Sequence, residues 1–386
     1  MPAAAAAAAA SAEQATPDSE LQRALAPHPH ARAVLGGAVA NGSPSHAYLF
    51  HGAAGTGKAR AARAFAAELL ADGAAEPHTV VERVTRESHP DLTWVRPSGA
   101  AEMLVSDIDE PVVAAATRTP FESKRRVFVI EAAETMNDQA ANRLLKTLEE
   151  PPSFVHLLLL TDRREDVLPT IRSRCQPVRF DPQPADEIAS TLTGLDDEQA
   201  KACARLALGD ASLAAWLGSD DGLPFRARAE RFVRASLAGE TAERPWEPLL
   251  AAAKGAAATA GEAVAEQRQR EAELLPSKER KRHEREGLEA RRRAERRART
   301  RALDLGLRLA ELWVRDLVCL RHEAPELVHA VDRMTELEQD RERFAGAPLE
   351  RALELIGATR LSLAANVSEE LALEALAYRL QALSGD

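Results

Sequence analysis

The chain has 386 residues, 45% of them hydrophobic and 28% charged, with a formal net charge of −10. That length points to two or three domains, and that composition to a globular protein rather than a fibrous one. No apolar run is long enough to span a membrane, and an acidic chain does not advertise nucleic-acid binding, so any such contact must be local. The three cysteines, Cys175, Cys203 and Cys319, are too far apart to suggest structural zinc or a disulfide framework. A reducing, cytoplasmic setting is therefore expected.

The first residues, "MPAAAAAAAASAEQATPDSE", are alanine-rich and lack the positive start of a signal peptide. Residues 1–20 are expected to form a disordered tail. Leu21 to Ala40 suits a helix, broken by "NGSPS". "AYLFHG" reads as a buried strand running into a glycine turn, and "KARAARAFAAELLA" as the helix that follows. "DLTWVRP" reads as a second strand, and "VSDIDEPVVAAATR" as a helix capped by Ser106 or Asp107. Val127 to Ile130 forms a third strand. In "NDQAANRLLKTLEEPP", Asn137 caps a helix that Pro151 and Pro152 stop. "VHLLLLT", the short helical "LPTIRSRC" and the strand "QPVRF" complete the series. Apolar strands alternating with helices predict an α/β domain, a parallel sheet covered on both faces, over residues 21–180. Strand signals then stop. Residues 181–236 and 237–386 read as helical. Lys278 to Arg301 carries 12 Lys or Arg against 5 Glu, a net of +7. It reads first as a solvated helix with pairs at i,i+4, and second as a patch tracking phosphates.

The segment "GAAGTGKA" has glycines and a lysine at phosphate-loop spacing, between a strand and a helix. Gly52, Gly55, Thr56, Gly57 and Lys58 are the candidate phosphate-binding residues, because backbone N–H groups, a helix N-terminus and an ammonium all favour anions. A simple glycine-rich turn is the bland alternative. The next position is Ala59, which has no oxygen for the Mg²⁺ that a Ser or Thr holds there. Strand "VFVI" ends in Glu131 and then Ala132, so the second acid, which would orient an attacking water, is missing. Thr161 closes the strand "LLLLT" with a polar residue. Arg172 and Arg174 read either as surface arginines or as part of a purposeful "SRC".

Taken together, "HAYLFHGAAGTGK", "HPDL", "VFVIEAAETMNDQAANRLLKTLEEPP", "IRSRCQPVRF", "ARLALGDASLAAWL" and "NVSEELALEALAYRL" resemble the delta-prime family of bacterial DNA polymerase III clamp-loader subunits, which are AAA+ proteins. The resemblance runs from about residue 21 to the C-terminus, and its last part is weaker. It implies an AAA+ α/β domain, a small helical lid over 181–236 and an all-α collar over 237–386. It implies a subunit that scaffolds the loader pentamer without hydrolysing ATP. Such a subunit offers Arg174, flanked by Ser173 and Cys175, to the ATP of a neighbour. The implied partners are gamma/tau and delta subunits and, through the complex, the beta sliding clamp and primed DNA, with no membrane. Lys146 matches a lysine that faces duplex DNA, and reads equally as a helix-surface lysine. Glu131 and Thr161 match positions near the nucleotide, while Ser212 stands where active relatives carry a phosphate-binding Arg. No cofactor is required, and ATP or ADP is expected to bind weakly. Many family members carry a four-cysteine zinc module, but Ala71 to Ser88 has no cysteine, so no zinc is expected. Two other readings are a catalytically active gamma/tau-like ATPase and another AAA+ DNA motor, such as a branch-migration helicase. Ala59, Ala132 and Ser212 weigh against the first, and "NRLLKTLEEPP" with "SRC" against the second.

Overall fold

The computed structural model describes residues 19–97, 102–273, 277–364 and 367–383. Most of the expected tail lies outside them. Its expected limit at residue 20 falls late: Ser19 already caps helix α1 (Glu20–Leu25) in a reciprocal capping box with Gln22. The single helix expected from Leu21 to Ala40 is also interrupted. Pro27 cannot donate a helical N–H and disfavours helical backbone before it. Pro29 then starts a second helix, α2, running through Pro29–Ala31, Arg32–Gly36 and Gly37–Ala40 with a wider π turn in its middle.

The chain divides into two compact units, one ending at Gln183 and the other starting at Pro184. In the first unit, β1 (Ala47–His51) leads through the glycine loop into α3 (Lys58–Ala71). Next come α4 (Pro77–Thr85), β2 (Leu92–Val95) and α5, which opens as Val105–Ile108 and widens into a π turn over Asp109–Ala114. Then follow β3 (Arg126–Ile130), α6 (Asp138–Glu149), β4 (Val155–Thr161), α7 (Pro169–Arg172) and β5 (Gln176–Arg179). The strands form one sheet in the order β2-β3-β4-β1-β5 with every pair parallel. This is the α/β architecture, a parallel sheet with helices on both faces, that the alternation of strands and helices predicts. The cap of α5 differs from expectation. Leu104 takes the cap position, and Asp107, inside the helix, reaches back to accept from the Leu104 N–H at 2.9 Å.

Parallel strands need covering on both faces, and residue alternation supplies two apolar surfaces. Tyr48, Phe50, Leu158 and Leu160 pack with Phe65 and Leu69 of α3. Leu49, Phe128, Leu157 and Leu159 pack with Leu144 and Leu148 of α6 and with Ile171 and Cys175. Asn137 caps α6 by accepting from the Ala140 N–H, as its sequence position predicts. "HPDL" is a structural latch. The Asp91 carboxylate is fully buried and accepts three backbone N–H bonds, from Phe121 at 2.5 Å and from Glu122 and Ser123 at 2.9 Å. His89 Nδ1 accepts from the Asp91 N–H, which leaves the protonated Nε2 3.0 Å from Glu122.

The second unit is helical among its described residues: α8 (Ala185–Thr191), α9 (Asp197–Leu206), α10 (Ala211–Leu217), α11 (Gly222–Leu237), α12 (Glu247–Glu273), α13 (Ser277–Arg321), α14 (Met334–Arg343), α15 (Leu349–Ala364) and α16 (Glu369–Gln381). Ile188, Ala204, Ala207 and Ala214 make a small cluster among α8, α9 and α10. Phe225 and Phe232 of α11 share a larger core with Trp246, Leu307 and Trp313. That core also holds paired charges. Arg226 is 2% exposed, donates to both Asp332 oxygens at 2.8 and 2.9 Å and reaches Glu230 at 2.6 Å. On the last helix Leu373, Leu376, Ala377 and Leu380 form the buried i,i+3,i+4,i+7 face, and Leu371 is exposed. In the Lys278–Arg301 stretch, side chains are described from residue 287. There Arg291 pairs with Glu295 at 2.7 Å and Arg293 with Glu289 at 3.6 Å, both at i,i+4.

Removing the buried Asp91 carboxylate leaves three part-buried backbone N–H groups without their acceptor. Asp91→Ala is expected to cost about 3 kcal/mol or more, and Asp91→Asn, which keeps one acceptor oxygen, less. Urea unfolding of the full chain checks the order.

Candidate functional site

Parallel pairing brings the carboxyl ends of the strands to one edge of the sheet. His51 of β1 lies opposite Thr161 of β4 and opposite Arg179 of β5. Ligands of open α/β sheets bind at this edge, and the glycine loop leaves β1 there. Gly52 must be glycine, since a Cβ would stand 2.0 Å from the Phe180 carbonyl oxygen. Gly55 and Gly57 have φ of 77° and 83°, the left-handed turns that curl the loop. Thr56 is buried and its hydroxyl donates to the Ala53 carbonyl at 2.9 Å.

Lys58, the first residue of α3, is buried and folds back under the loop. Its Nζ donates to the Gly52 carbonyl at 2.7 Å and the Ala53 carbonyl at 2.6 Å, and pairs with Asp162 at 2.8 Å. Thr161 is buried at the end of β4, and its hydroxyl accepts from the Arg163 N–H. The glycines, the helix N-terminus and Lys58 suit phosphate oxygens. The surroundings do not suit catalytic Mg²⁺: Ala59 is an exposed methyl group on α3, and Ala132 carries no carboxylate. Ala132 is held in the left-handed region at φ 52°, ψ 49°, with its carbonyl accepting from the Thr135 hydroxyl at 2.7 Å.

Glu131 is committed elsewhere. Its carboxylate accepts from Trp94 Nε1 at 2.6 Å and pairs with Arg96 at 3.3 Å. Arg96 donates twice to Glu87, which also receives Arg63 of α3, and both guanidinium groups lie over the Trp94 ring. Burial alone would raise the Glu87 carboxyl, but the hydrogen bonds and charges of Arg96 and Arg63 hold it below its ordinary value. The sequence reading passed over this cluster, although Trp94 and Arg96 sit at the end of a strand it recognised. Ser212 is exposed on α10 of the second unit.

"SRC" divides its labour residue by residue. Cys175 is buried among Ile171, Leu144 and Leu148, and burial pushes its thiol up to about 12, so it is packing and not a nucleophile. The Ser173 hydroxyl donates to the Thr170 carbonyl and tightens the turn after α7. Arg174 then stands at the surface. One terminal nitrogen donates to the Thr170 carbonyl at 2.9 Å, and the other to Glu149 at the end of α6 at 2.7 Å. A guanidinium has five N–H donors, so Nε and part of its fork remain open. Arg172 pairs with Glu165. Arg174 and Glu149 line an open cavity of about 350 Å³ with Ser45, His46, Pro151 and Gln176. Lys146 is exposed on α6 with no ion-pair partner among the described residues.

Residues 28–184 match the protein family described as "DNA polymerase III, delta subunit". The DNA polymerase III subunit delta' of Bacillus subtilis is 36% identical over 158 residues, 39% of this chain and 47% of that protein. Its counterpart in Pseudomonas aeruginosa is also 36% identical, over 42% of this chain and 51% of that protein. Residues 28–184 are therefore similar to delta-prime proteins of DNA polymerase III. Subunit gamma/tau of Mycobacterium tuberculosis is 33% identical over 44% of this chain and 30% of its own length. The chain thus spans about half the length of the delta-prime relatives it matches, and the family match over residues 28–184 includes the glycine loop and "SRC". No described helix is long and apolar enough to cross a membrane. The cysteine-free Ala71–Ser88 segment contains α4. His78 is exposed there, and the nearby His89 is taken up by Asp91 and Glu122.

Behind the Arg174 cavity, His46 stacks on His156, whose Nδ1 donates to the Ser45 carbonyl at 2.9 Å. Burial lowers the His156 pKa from 6.5 to about 4. Between those values the unfolded chain binds a proton that the folded one refuses, so stability falls as pH drops from 6.5 towards 4 and is level above. Wild type is expected to lose about 2 kcal/mol more than His156→Gln between pH 7 and pH 5, measured by urea unfolding at each pH.

Proposed function

We propose that this chain is the non-hydrolysing, delta-prime subunit of a replicative clamp loader, acting on a neighbour's ATP through Arg174. The observation that carries the reading is an asymmetry within one domain. The phosphate loop keeps its glycines and Lys58 but has Ala59 and Ala132 in place of the magnesium ligand and the general base. The arginine of "SRC", by contrast, stands at the surface on a turn that Cys175 anchors and Ser173 tightens. Each missing group removes some kcal/mol of transition-state stabilisation, so hydrolysis in this chain's own site falls to nothing useful. An arginine delivered to a neighbour's transferring phosphoryl group stabilises the charge that spreads over its equatorial oxygens, worth about 10³–10⁵ in rate. Nucleotide, where it binds here at all, would be held by the loop N–H groups and Lys58.

The assembly belongs to the same reading. Gamma/tau and delta subunits are its neighbours, and the beta sliding clamp and primed DNA its targets through the complex. The helices from 181 to 236 act as a lid and those from 237 onward as an oligomerising collar. Lys146, exposed on α6 with no ion-pair partner among the described residues, faces the DNA backbone. A gamma/tau-like ATPase is the weaker alternative, since it needs the groups that Ala59 and Ala132 replace.

The test is a loader reconstituted with gamma/tau, delta and clamp. The chain alone is expected to turn over no ATP above background. Arg174→Ala is expected to assemble normally yet lose part of the DNA- and clamp-stimulated ATPase, because one site alone loses its arginine. Arg174→Lys is expected to rescue little, since an ammonium lacks the planar fork. Unchanged ATPase and clamp loading in Arg174→Ala would make "SRC" a structural turn.

A further inference from the structure

Lys58 has three N–H donors, and all three are used within the chain. Two go to the Gly52 and Ala53 carbonyls, and the third points at the Asp162 carboxylate. The Thr56 hydroxyl, at 3.4 Å, is a longer fourth neighbour. The ammonium is nearly sequestered, with 7% of its side chain exposed, whereas the Asp162 side chain is 49% exposed. Asp162 therefore approaches Lys58 from the solvent side of the loop, the side from which a phosphate must come. The local chain explains the approach. Thr161 ends β4 opposite His51, so Asp162 is the first residue past the sheet on the same edge as the loop. The Thr161 hydroxyl accepts from the Arg163 N–H and turns the chain at that point.

We propose that Asp162 is a built-in competitor for phosphate: its carboxylate takes the donor of Lys58 that a nucleotide phosphate would need, and so keeps the loop weak for nucleotides. Two effects add. A tethered carboxylate has a high effective concentration at Lys58, and once displaced it stands as a like charge beside the incoming phosphate, which is costly. The loop itself keeps the glycine turns and helix N-terminus that phosphate requires. The proposal rests on the phosphate-loop geometry and not on the role given to Arg174.

The experiment is isothermal titration of the full chain with ADP and, separately, with inorganic tripolyphosphate, which has no base or sugar. Asp162→Asn and Asp162→Ala are expected to bind both at least about tenfold more tightly than wild type. Asp162→Glu, which keeps the charge, is expected to stay close to wild type. Lys58→Met in the Asp162→Asn background is expected to abolish the gain. Because Ala59 supplies no metal ligand, the gain should persist in EDTA. Circular dichroism identifies any variant that fails to fold, and either neutral variant then serves. Equal affinity in wild type and the folded neutral variants would overturn the proposal. A gain that survives Lys58→Met would overturn it too. A gain for ADP but not tripolyphosphate would show that Asp162 does not act on phosphate. The ATPase of the reconstituted loader, read through Arg174, can fail or succeed independently of all four outcomes.

Discussion

The parallel register of β1 between β4 and β5 is the constraint from which the candidate site follows. Parallel strands send every carboxyl end to the same edge, so residues far apart in sequence meet there without any loop having to reach for them. His51, Thr161 and Arg179 share one row of the sheet. The glycine loop, Asp162 and Phe180 are simply what comes next on each strand. The close approach of Gly52 to the Phe180 carbonyl shows how tightly that row is packed. A side chain there would push β5 from β1 and move the turn that carries Arg174 with it.

Charge is handled differently in the core of the second unit and at the sheet edge of the first. In the core of the second unit, Arg226 is buried and paired with Asp332 and Glu230. Such pairs add little net stability but penalise any arrangement that separates them. They fix how helices far apart in sequence are seated. At the sheet edge of the first unit two pairs are half-exposed, Arg174 with Glu149 and Arg96 with Glu131. Water screens such pairs, and they exchange partners cheaply.

The sequence alone determined the fold class and the chemistry of the loop. Strand and helix periods, Asn137 as a cap and the Pro151–Pro152 stop are local signals, legible because they depend on neighbours within a few residues. So are the gaps at Ala59 and Ala132, since an absent oxygen is absent in any conformation. Pro27 is a local signal too, and it divides the helical pattern from Leu21 to Ala40 in two.

Only the tertiary structure decided where the charges go. Glu131 looked like a nucleotide-side acid from its place after a strand, but its partners, Trp94 and Arg96, lie one strand away. Asp162 and Glu149 carried no signal in sequence, because a carboxylate gains meaning from the cation that the fold sets within 3 Å of it. The cation itself is 104 residues distant for Asp162 and 25 for Glu149. Spacing along a chain specifies periodic structure. Pairing across a sheet edge depends on register and side-chain reach, which come into being only when the strands are assembled.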